Sequence, residues 1–328
     1  MIISKTPVRV SFFGGGTDYP TYFHEFGGSV VSTTINKYIY ITVNKITGLL
    51  GDKYRIAYSK LELCNHVDDI EHPVVKAVIK YLQIQDGLDI NIFSDLPSRT
   101  GIGSSSSFTV GLLHCLYAIQ GIQKSKHELA LDAIHVEYNL LQERVGVQDQ
   151  LAAAHGGLNF MQFTATNLTV TPVLLSKERK LKFQRKLMMF YTGINRFASE
   201  ILKEQLQKTE EKTIQKELTD IHDMVNQGLQ ILQDEHHSLD ALGLLLNKAW
   251  LAKRALSSAI SNSFLDDIYD RAIKGGALGG KLLGAGGGGF FLFYVPEENQ
   301  AEVRNKLADL QEISFEFEED GTQLIHRS

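Results

Sequence analysis

Two carboxylates, Glu137 and Asp149, lie where the surrounding sequence is largely apolar. Glu137 interrupts a helical pattern of alanine, isoleucine, valine and leucine, where a carboxylate is costly unless it is paired or binds a cation. The alternative is a residue at the edge of the apolar stripe. Asp149 opens a short alanine-rich helix after Gly146, and by itself it is better explained as a helix cap. Only Glu137 therefore indicates a cation ligand on its own.

A glycine- and serine-rich loop runs from Pro97 to Ser107, with the sequence Pro-Ser-Arg-Thr-Gly-Ile-Gly-Ser-Ser-Ser-Ser. A strand pattern, Leu88 to Ser94, precedes it, and an apolar helical run, Phe108 to Ile119, follows it. Free N–H groups at a helix N-terminus point toward a bound anion, and the helix dipole favours negative charge there. One serine would suffice as a cap. Four serines after Gly-x-Gly therefore favour a phosphate-binding loop.

Two further glycine-rich stretches occur at 14–20 and 275–289. The stretch from Gly284 to Gly289 satisfies Gly-x-Gly-x-x-Gly, but a strand pattern follows it where a dinucleotide-binding motif needs a helix. The chain has no Gly-x-x-x-x-Gly-Lys-[Ser/Thr] motif, and it lacks the Asp-Phe-Gly and His-Arg-Asp triplets of protein kinases. These patterns exclude the Rossmann, P-loop and protein-kinase classes.

The elements that must position these residues mix strands and helices. In the first half, strands are predicted at 8–12, 29–35, 38–45, 54–58, 88–94, 158–163 and 168–173. Helices are predicted there at 21–26, 73–82, 108–119 and, after the capping box Ser125-x-x-Glu128, up to about residue 142. A basic linker at 177–186 marks the candidate domain boundary. Beyond it we expect a strand at 187–191, helices over 198–274, a strand at 290–295, a helix at 296–310 and a hairpin at 313–325.

The composition is that of an ordinary globular enzyme, with 328 residues, 43% of them hydrophobic and 22% charged. This length predicts two domains. The net charge of −5 and the lack of a long basic block argue against a nucleic-acid-binding surface. No apolar run approaches a membrane span, and no signal peptide precedes the first strand. Cys64 and Cys115 lack metal-site spacing, so we expect reduced thiols and a cytoplasmic location.

Taken together, the glycine-rich stretches resemble the motifs of the GHMP kinases, the family of galactokinase, homoserine kinase, mevalonate kinase and phosphomevalonate kinase. The resemblance keeps the family's motif order over nearly the whole chain. The matching motifs are Arg9-Val10-x-x-x-Gly14-x-x-Thr17-Asp18-Tyr19, Pro97-x-x-x-Gly101-Ile102-Gly103-Ser104-Ser105-Ser106, Gly146-x-x-Asp149-Gln150 and Lys281-x-x-Gly284-Ala285-Gly286-Gly287-Gly288.

This resemblance implies a two-domain α+β fold. An N-terminal α/β domain with the phosphate-binding loop would span 1–183, and a C-terminal ferredoxin-like domain would span 184–328. The active site would lie in the cleft between them.

The same resemblance implies ATP-dependent phosphoryl transfer with Mg²⁺. Asp149 would accept the proton of the attacking hydroxyl, while Arg9 would keep Asp149 ionised and stabilise the transferring phosphoryl group. Ser105 and Glu137 would hold Mg²⁺. The residues implied to bind ATP are Pro97, Arg99, Gly101, Ile102, Gly103, Ser104, Ser105 and Ser106. Those implied to contact the sugar are Gly15, Gly16, Thr17, Asp18, Thr192, Gly193, Arg196, Gly286 and Gly287.

Within the family, the chain most resembles the branch that phosphorylates D-glycero-D-manno-heptose 7-phosphate. The stretches that carry this resemblance are 13–20, 33–38, 71–75 and 191–199. Galactokinases carry Glu-His where this chain has Gly15-Gly16, which argues against galactose and leaves room for a seven-carbon sugar. The implied product is the 1,7-bisphosphate. Arg196 and Lys37 are candidates for the cation that binds the acceptor's own phosphate.

Two alternatives remain open. One is another sugar 1-kinase of the family, such as a fucokinase-type or other hexose kinase. The other is a non-catalytic member that binds a ligand or a partner, which would be expected to lack Arg9, Asp149 or the phosphate-binding loop. All three are present. The partners implied are therefore small molecules, a sugar phosphate and ATP, without nucleic acid or membrane.

Overall fold

The computed structural model describes residues 1–46, 51–195 and 198–327, and for residues 198–202 the backbone alone. Its strands are β1 (Ile2–Phe13), β2 (Gly28–Ile46), β3 (Tyr54–Ala57), β4 (Leu61–Cys64), β5 (Gly87–Ser94), β6 (Leu158–Phe163), β7 (Leu168–Pro172), β8 (Leu187–Tyr191), β9 (Gly279–Leu282), β10 (Phe290–Tyr294), β11 (Gln311–Glu312), β12 (Phe317–Glu318) and β13 (Gln323–Arg327). Its helices are α1 (Pro20–Phe26), α2 (Pro73–Tyr81), α3 (Ser104–Ile119), α4 (Lys126–Ile134), α5 (Gln148–His155), α6 (Lys177–Arg185), α7 (Ala198–Glu210), α8 (Gln215–Gln233), α9 (Asp240–Leu256), α10 (Ser263–Lys274) and α11 (Gln300–Lys306). A π-helical segment, His135–Leu140, directly follows α4, and short 3-10 turns occur at Val67–Asp69 and Glu297–Asn299. Within these ranges, no helix is both long enough and apolar enough to cross a membrane.

β2 is the central strand of the first sheet, and it runs without a break from Gly28 to Ile46. Its first part pairs with β6 and its last part with β5, while β1 pairs along both. The pattern predicts two strands here, 29–35 and 38–45, whereas the structure joins them. β1 crosses the junction with only a register shift at Pro7/Val8, where proline lacks the N–H that a regular ladder needs.

The first sheet carries the phosphate-binding loop between a strand and a buried helix. Its order is β13-β1-β2-β5-β3-β4, and β6 and β12 also pair with β2. α3 packs against β1 and β2 on one side and against α4 and α5 on the other. This position explains why α3 is apolar nearly all round. The predicted strand–loop–helix unit is thus confirmed as β5, the loop and α3.

The second sheet is antiparallel, with the order β11-β8-β10-β9. β8 and β10 pair over five residues each, which confirms the strands expected at 187–191 and 290–295. β9 is not predicted because two of its four residues are glycine, which usually weakens a strand. α9 packs against β9, β10 and α8, and α10 packs against α11. The chain thus has the expected α+β architecture, with a ferredoxin-like second layer.

The C-terminal tail does not form the predicted hairpin. β12 pairs with β2 and β13 pairs with β1, so both strands complete the first sheet. The Asp320-Gly321 turn docks on the end of α5, where a Cβ on Gly321 would lie 2.0 Å from the Ala154 carbonyl oxygen. An Asp-Gly signal reports only a local turn, whereas these pairings depend on distant strands. The domain boundary expected between residues 183 and 184 stays a proposal. The strands at residues 317–318 and 323–327 belong to the first sheet, although they lie in the sequence range expected for the second domain.

The predicted basic linker at 177–186 is instead a helix, α6. Ser176 caps it by accepting a hydrogen bond from the Arg179 backbone N–H at 3.2 Å. Phe183 is buried beneath it, and Arg179 Nε donates to the Leu232 carbonyl oxygen at 2.6 Å. The basic residues on the exposed side of α6 account for the linker-like composition.

Candidate active site

Arg9 and Asp149 form a two-pronged ion pair. Arg9 Nε donates to Asp149 Oδ1 at 2.7 Å, and one terminal guanidinium nitrogen donates to Oδ2 at 2.9 Å. Arg9 lies on β1 and is buried, whereas 24% of the Asp149 side chain is exposed. Val147, not Asp149, occupies the N-cap position of α5, so helix capping does not explain this aspartate. The bidentate geometry holds both groups in fixed orientation.

The loop between β5 and α3 closes onto this ion pair. The other terminal nitrogen of Arg9 donates to the Gly101 carbonyl oxygen at 2.6 Å, and the Arg9 backbone N–H donates to the Ile102 carbonyl oxygen at 3.0 Å. Gly101 and Gly103 have φ angles of +81° and +76°, a region that favours glycine. A Cβ on Gly103 would come within 3.3 Å of the Asp149 carboxylate. The two glycines therefore bring the loop backbone against the ion pair.

The serines after these glycines have different environments. Ser104 Oγ is buried and has no described hydrogen-bond partner, whereas Ser105 is exposed. Ser107 Oγ donates to the Pro7 carbonyl oxygen at 2.8 Å and so anchors α3 to β1. Ser104 and Ser105 thus lie at a helix N-terminus whose N–H groups and dipole suit a phosphate. The residues predicted to bind ATP all lie in this loop or in the first turn of α3, and their contacts with ATP stay a prediction; they are Pro97, Arg99, Gly101, Ile102, Gly103, Ser104, Ser105 and Ser106.

The second and third glycine-rich stretches, far apart in sequence, pack directly against each other. A Cβ on Gly284 would lie 2.4 Å from the Gly101 Cα. A Cβ on Gly289 would lie 2.2 Å from the Thr100 carbonyl oxygen. Backbone contacts this close exclude any side chain at these positions. The third stretch therefore supports the phosphate-binding loop.

Asp18 connects the first glycine-rich stretch to the segment that carries Asp149. Its carboxylate accepts hydrogen bonds from the Gly16 N–H at 3.0 Å and from Gln148 Nε2 at 2.8 Å. Burial, and next the negative charge of Asp149, raise the pKa of Asp18. Both oxygens thus already accept hydrogen bonds within the protein. The structure supports an organising role for Asp18, and its contact with a sugar hydroxyl stays a prediction.

Glu137 is buried within the π-helical segment after α4, 1% exposed. Its Oε2 accepts hydrogen bonds from Ser106 Oγ at 2.9 Å and from Gln150 Nε2 at 2.5 Å, whereas Oε1 has no described partner. Burial raises the pKa of Glu137 to about 7, although hydrogen bonding by the nearby Thr109 hydroxyl, and next by Gln150 and Ser106, opposes that shift. Segments of π-helix are often found at functional sites. Glu137 is therefore buried and does not lie at the exposed edge of the apolar stripe.

The oxygens around Glu137 fit Mg²⁺, which prefers hard oxygen ligands and usually keeps only one or two protein carboxylates. The unpartnered buried Oε1 supports this fit, because a cation would compensate it. The serine that contacts Glu137 is Ser106, not Ser105, and the metal role of Ser105 stays a prediction. Within the described ranges, no group of three His, Cys, Asp or Glu side chains could hold a metal. Phosphate oxygens would therefore have to complete the coordination.

Two predicted sugar contacts, Thr17 and Thr192, use their hydroxyls within the protein. Thr17 Oγ1 lies 2.9 Å from the Gly14 carbonyl oxygen and 3.0 Å from that of Ser29. Thr192 Oγ1 donates to the Gly289 carbonyl oxygen at 2.9 Å. Both threonines are buried. Their hydroxyls hold the glycine-rich stretches in place, so this geometry does not support a direct contact with sugar.

The remaining predicted sugar contacts differ in their surroundings. The Gly287 N–H donates to the Ile260 carbonyl oxygen at 2.8 Å, and a Cβ on Gly286 would lie 2.8 Å from the Ile260 Cα. Gly193 has a φ of +75° and no described neighbour within 4 Å of an added Cβ. Arg196 lies outside the described residues.

Two buried lysines also lie at this site, Lys253 of α9, which sequence reasoning misses, and Lys281 of β9, which it finds only as the first residue of the third matching motif. Lys253 Nζ donates to the carbonyl oxygens of Leu282 and Gly284, within the third glycine-rich stretch. Burial, and next the positive charge of Arg9, lower the pKa of Lys253 to about 8. Lys253 thus holds the third stretch where it meets the phosphate-binding loop.

Glu137 stands out in the sequence as a charged residue among apolar helical positions, and the same pattern could have identified Lys253. Lys253 follows the buried Trp250 by three residues and precedes the buried Leu256 by three, so it lies on the apolar side of α9. The sequence signal for Lys281 is a different one, its place at the start of the third matching motif, since β9 itself is not recognisable as a strand.

Comparison with known families agrees with this geometry. The family model described as GHMP kinases N terminal domain matches residues 68–157, and that described as GHMP kinases C terminal matches residues 229–312. The first match includes the phosphate-binding loop, Glu137 and Asp149. The second includes Lys253 and the third glycine-rich stretch.

Two relatives and one solved structure extend the comparison. The chain is 28% identical over 329 residues to the D-glycero-alpha-D-manno-heptose 7-phosphate kinase of Campylobacter jejuni, and the match covers 96% of each. It is 24% identical over 333 residues to the bifunctional fucokinase/GDP-fucose pyrophosphorylase of Arabidopsis thaliana, over 94% of this chain and 31% of that protein. The crystal structure of a D-glycero-D-manno-heptose 1-phosphate kinase from Bacteroides thetaiotaomicron has a TM-score of 0.82 and 23% identity, with both chains fully covered. At 23% identity, this structural similarity is evidence for the fold alone.

Proposed function

Because the chain belongs to the GHMP kinase family and is therefore an ATP-dependent phosphotransferase, we propose that it phosphorylates D-glycero-D-manno-heptose 7-phosphate. The acceptor is the anomeric hydroxyl, and the product is the 1,7-bisphosphate. The observation that carries the proposal is the Arg9–Asp149 ion pair enclosed by the phosphate-binding loop. It supplies a carboxylate and a guanidinium beside a helix N-terminus, the parts that phosphoryl transfer requires.

Asp149 is the proton acceptor in this proposal. An anomeric hydroxyl is more acidic than an ordinary alcohol, so a carboxylate of ordinary strength suffices to orient it and take its proton. Arg9 fixes the orientation of Asp149 through both carboxylate oxygens. Since Arg9 also contacts the carbonyl oxygen of Gly101, it links the base to the loop that binds the phosphates. Its positive charge then stabilises charge on the transferring phosphoryl group.

Glu137, with a serine hydroxyl from the first turn of α3, is proposed to hold Mg²⁺. When bound, this ion neutralises charge on the phosphate oxygens of ATP. The protein contributes a buried carboxylate whose Oε1 is unpartnered and whose Oε2 is fixed by Ser106 and Gln150. These hydrogen bonds orient Glu137 toward one position and leave its second oxygen available.

The choice of acceptor is supported by the Campylobacter jejuni relative, which covers nearly the whole chain and is a heptose 7-phosphate kinase. It is also supported by the open space at Gly15, where an added Cβ would have no described neighbour closer than 4.0 Å. A second candidate is another sugar 1-kinase, which the similarity to a bifunctional fucokinase favours.

The test is ATP consumption by the purified chain with a panel of heptose 7-phosphate, mannose, fucose and galactose. The proposal predicts the highest kcat/KM for heptose 7-phosphate, with a new phosphorus signal from a phosphate on the anomeric carbon. A higher kcat/KM for fucose would support the second candidate and contradict the first. A signal from a phosphate on any other carbon would contradict the assigned acceptor hydroxyl.

A further inference from the structure

The first turn of α5 carries three consecutive polar residues that serve different parts of the site. The middle one is Asp149, the proposed base. Gln148 Nε2 donates to Asp18 Oδ2 at 2.8 Å, and Gln150 Nε2 donates to Glu137 Oε2 at 2.5 Å. Gln150 therefore lies on the side of the proposed metal site. Gln148 lies on the side of the sugar, beside the carboxylate that sequence predicts to contact it.

The amide oxygen of Gln148 is a buried hydrogen-bond acceptor without a donor. The residue is 8% exposed, and its Oε1 has no hydrogen-bond partner among the described residues. An ionised carboxylate only accepts hydrogen bonds, so Gln148 must turn its NH₂ group toward Asp18 and its oxygen away from it. A buried amide oxygen without a donor is unfavourable. Oε1 is therefore suited to receive a donor from a bound ligand.

Asp18 itself is less suited than Gln148 to bind a sugar hydroxyl. Its Oδ1 already accepts from the Gly16 N–H at 3.0 Å, and its Oδ2 accepts from Gln148. The chain also closes in on Oδ2, since a Cβ on Gly146 would lie 1.9 Å from it. Only 1% of Asp18 is exposed. Asp18 therefore fixes the orientation of the Gln148 amide, and Oε1 is the acceptor of this pair that no described donor uses.

Gln148 also lies close to the proposed base. It directly precedes Asp149 in α5, and Asp149 is near enough to Asp18 for its negative charge to raise the pKa of that buried carboxyl. When Asp149 holds the anomeric hydroxyl, the neighbouring hydroxyl on C2 is the one that a second acceptor in the same helical turn can reach. The motif Gly146-x-x-Asp149-Gln150 leaves position 148 open, so this residue is free to vary with the sugar while the base is kept.

We infer that Gln148 is a specificity-determining residue, whose Oε1 accepts a hydrogen bond from the C2 hydroxyl of the sugar while Asp149 orients the anomeric hydroxyl. This inference rests on the proposed function, because it concerns the same sugar in the same site. A sugar without a hydrogen-bond donor at C2 leaves Oε1 buried and unpaired. A site built to bind a hydroxyl in this way rejects analogues that lack it.

The experiment measures sugar binding by isothermal titration calorimetry, with Mg²⁺ and a non-hydrolysable ATP analogue present. The probes are heptose 7-phosphate and its 2-deoxy-2-fluoro analogue, in which fluorine replaces the C2 hydroxyl and cannot donate a hydrogen bond. Wild type should bind the fluoro analogue about five- to a hundred-fold more weakly, the range for a buried acceptor left unpaired. Equal binding of the two probes by wild type would overturn the inference.

Two substitutions of Gln148 separate recognition of the hydroxyl from support of Asp18. Gln148→Met removes the whole amide at similar length, so it should bind the two probes within about threefold of each other. Gln148→Glu keeps an oxygen acceptor but places a second carboxyl group against Asp18, so it should bind both probes more weakly and keep the preference. The inference is overturned if Gln148→Met keeps the wild-type preference, or if both variants lose it alike.

Gln227→Met is the matched control, because it makes the same replacement at an exposed glutamine of α8. It should bind both probes as wild type does. If Gln148→Met fails to fold, Gln148→Ala makes the same test with a smaller side chain. The wild-type comparison of the two probes needs no variant, and by itself it can overturn the inference.

The outcome for Gln148 is separable from that of the proposed function. If wild type phosphorylates heptose 7-phosphate but binds the two probes equally, the inference alone fails. If the substrate panel identifies a different sugar 1-kinase, the proposed function fails, and that sugar and its 2-fluoro analogue become the probes. A preference that Gln148→Met removes then supports the inference, and the lack of one overturns it. Phosphorylation at a carbon other than C1 overturns both, because the C2 hydroxyl is then no longer the neighbour of the hydroxyl at Asp149.

Discussion

Gly146 and Asp18 are packed so closely that a Cβ on Gly146 would lie 1.9 Å from Asp18 Oδ2. The Val147 N–H also donates to the Asp18 carbonyl oxygen at 3.0 Å. These contacts seat the segment that carries Asp149 on the first glycine-rich stretch. The position of the Asp149 carboxylate therefore depends on the absence of a side chain three residues before it, at Gly146.

Gly146→Ala should shift the Asp149 segment and strain Asp18. We expect the free energy of unfolding to fall by about 1–3 kcal/mol, as for other overpacked sites, and kcat to fall with it. Urea denaturation and steady-state kinetics measure the two effects. Asp18→Ala removes the clashing oxygen, so adding Gly146→Ala to that variant should cost less than it costs wild type. An equal cost in both backgrounds would contradict the steric explanation.

Ser105 and Ser106 should respond differently to alanine. Ser106→Ala removes a hydrogen bond to the buried Glu137 and should lower the free energy of unfolding by about 1–2 kcal/mol. Ser105 is exposed, so Ser105→Ala should leave stability unchanged and raise the Mg²⁺ concentration needed for half-maximal activity. Denaturation curves and Mg²⁺ titrations of both variants test this. If only Ser106→Ala raised the Mg²⁺ requirement, Ser106 would be the metal ligand.

Glu137 should make the metal-free protein less stable as pH rises. Its carboxyl titrates at about 7 in the folded chain, against an ordinary value of 4.5. Between these values the folded chain binds more protons than the unfolded chain, so the free energy of unfolding falls with rising pH. Integrated across the window, this loss amounts to about 3 kcal/mol. Glu137→Gln should not show this loss of unfolding free energy, because glutamine does not titrate.

The measurement is urea denaturation in EDTA at pH 5 and pH 8. The stability of Glu137→Gln relative to wild type should increase between the two pH values. Glu298→Gln, an exposed substitution in the 3-10 turn before α11, should track wild type at both. A difference between Glu137→Gln and wild type that stays constant with pH would show that Glu137 titrates normally.

The residues of the Arg9–Asp149 ion pair and the buried carboxylate of Glu137 stand out in the sequence because their contexts are informative. Arg9 and Asp149 lie in recognisable motifs, and Glu137 is a charged residue in an apolar helical pattern. The serine in contact with Glu137 was not predictable. It depends on the rotation of α3 relative to the π-helical segment, which a change of helical type alters.

The elements that sequence misassigned depend on distant partners. β2 is a single strand because β1 supports it across the junction. The tail joins the first sheet because β13 pairs with β1 and β12 pairs with the part of β2 left open between β6 and β5. The contact of Lys281 with Ser11 of β1 forms only because β9 pairs with β10. None of these pairings has a local sequence signal.

The most direct test of the proposed mechanism is the turnover of Asp149→Asn with heptose 7-phosphate, measured together with its affinity for ATP. Asparagine keeps the shape of the side chain but cannot accept the acceptor's proton. We predict that kcat falls by a factor of about 10²–10⁴ while the Kd for ATP stays within about threefold of wild type. A kcat close to that of wild type would contradict the assignment of Asp149 as the base.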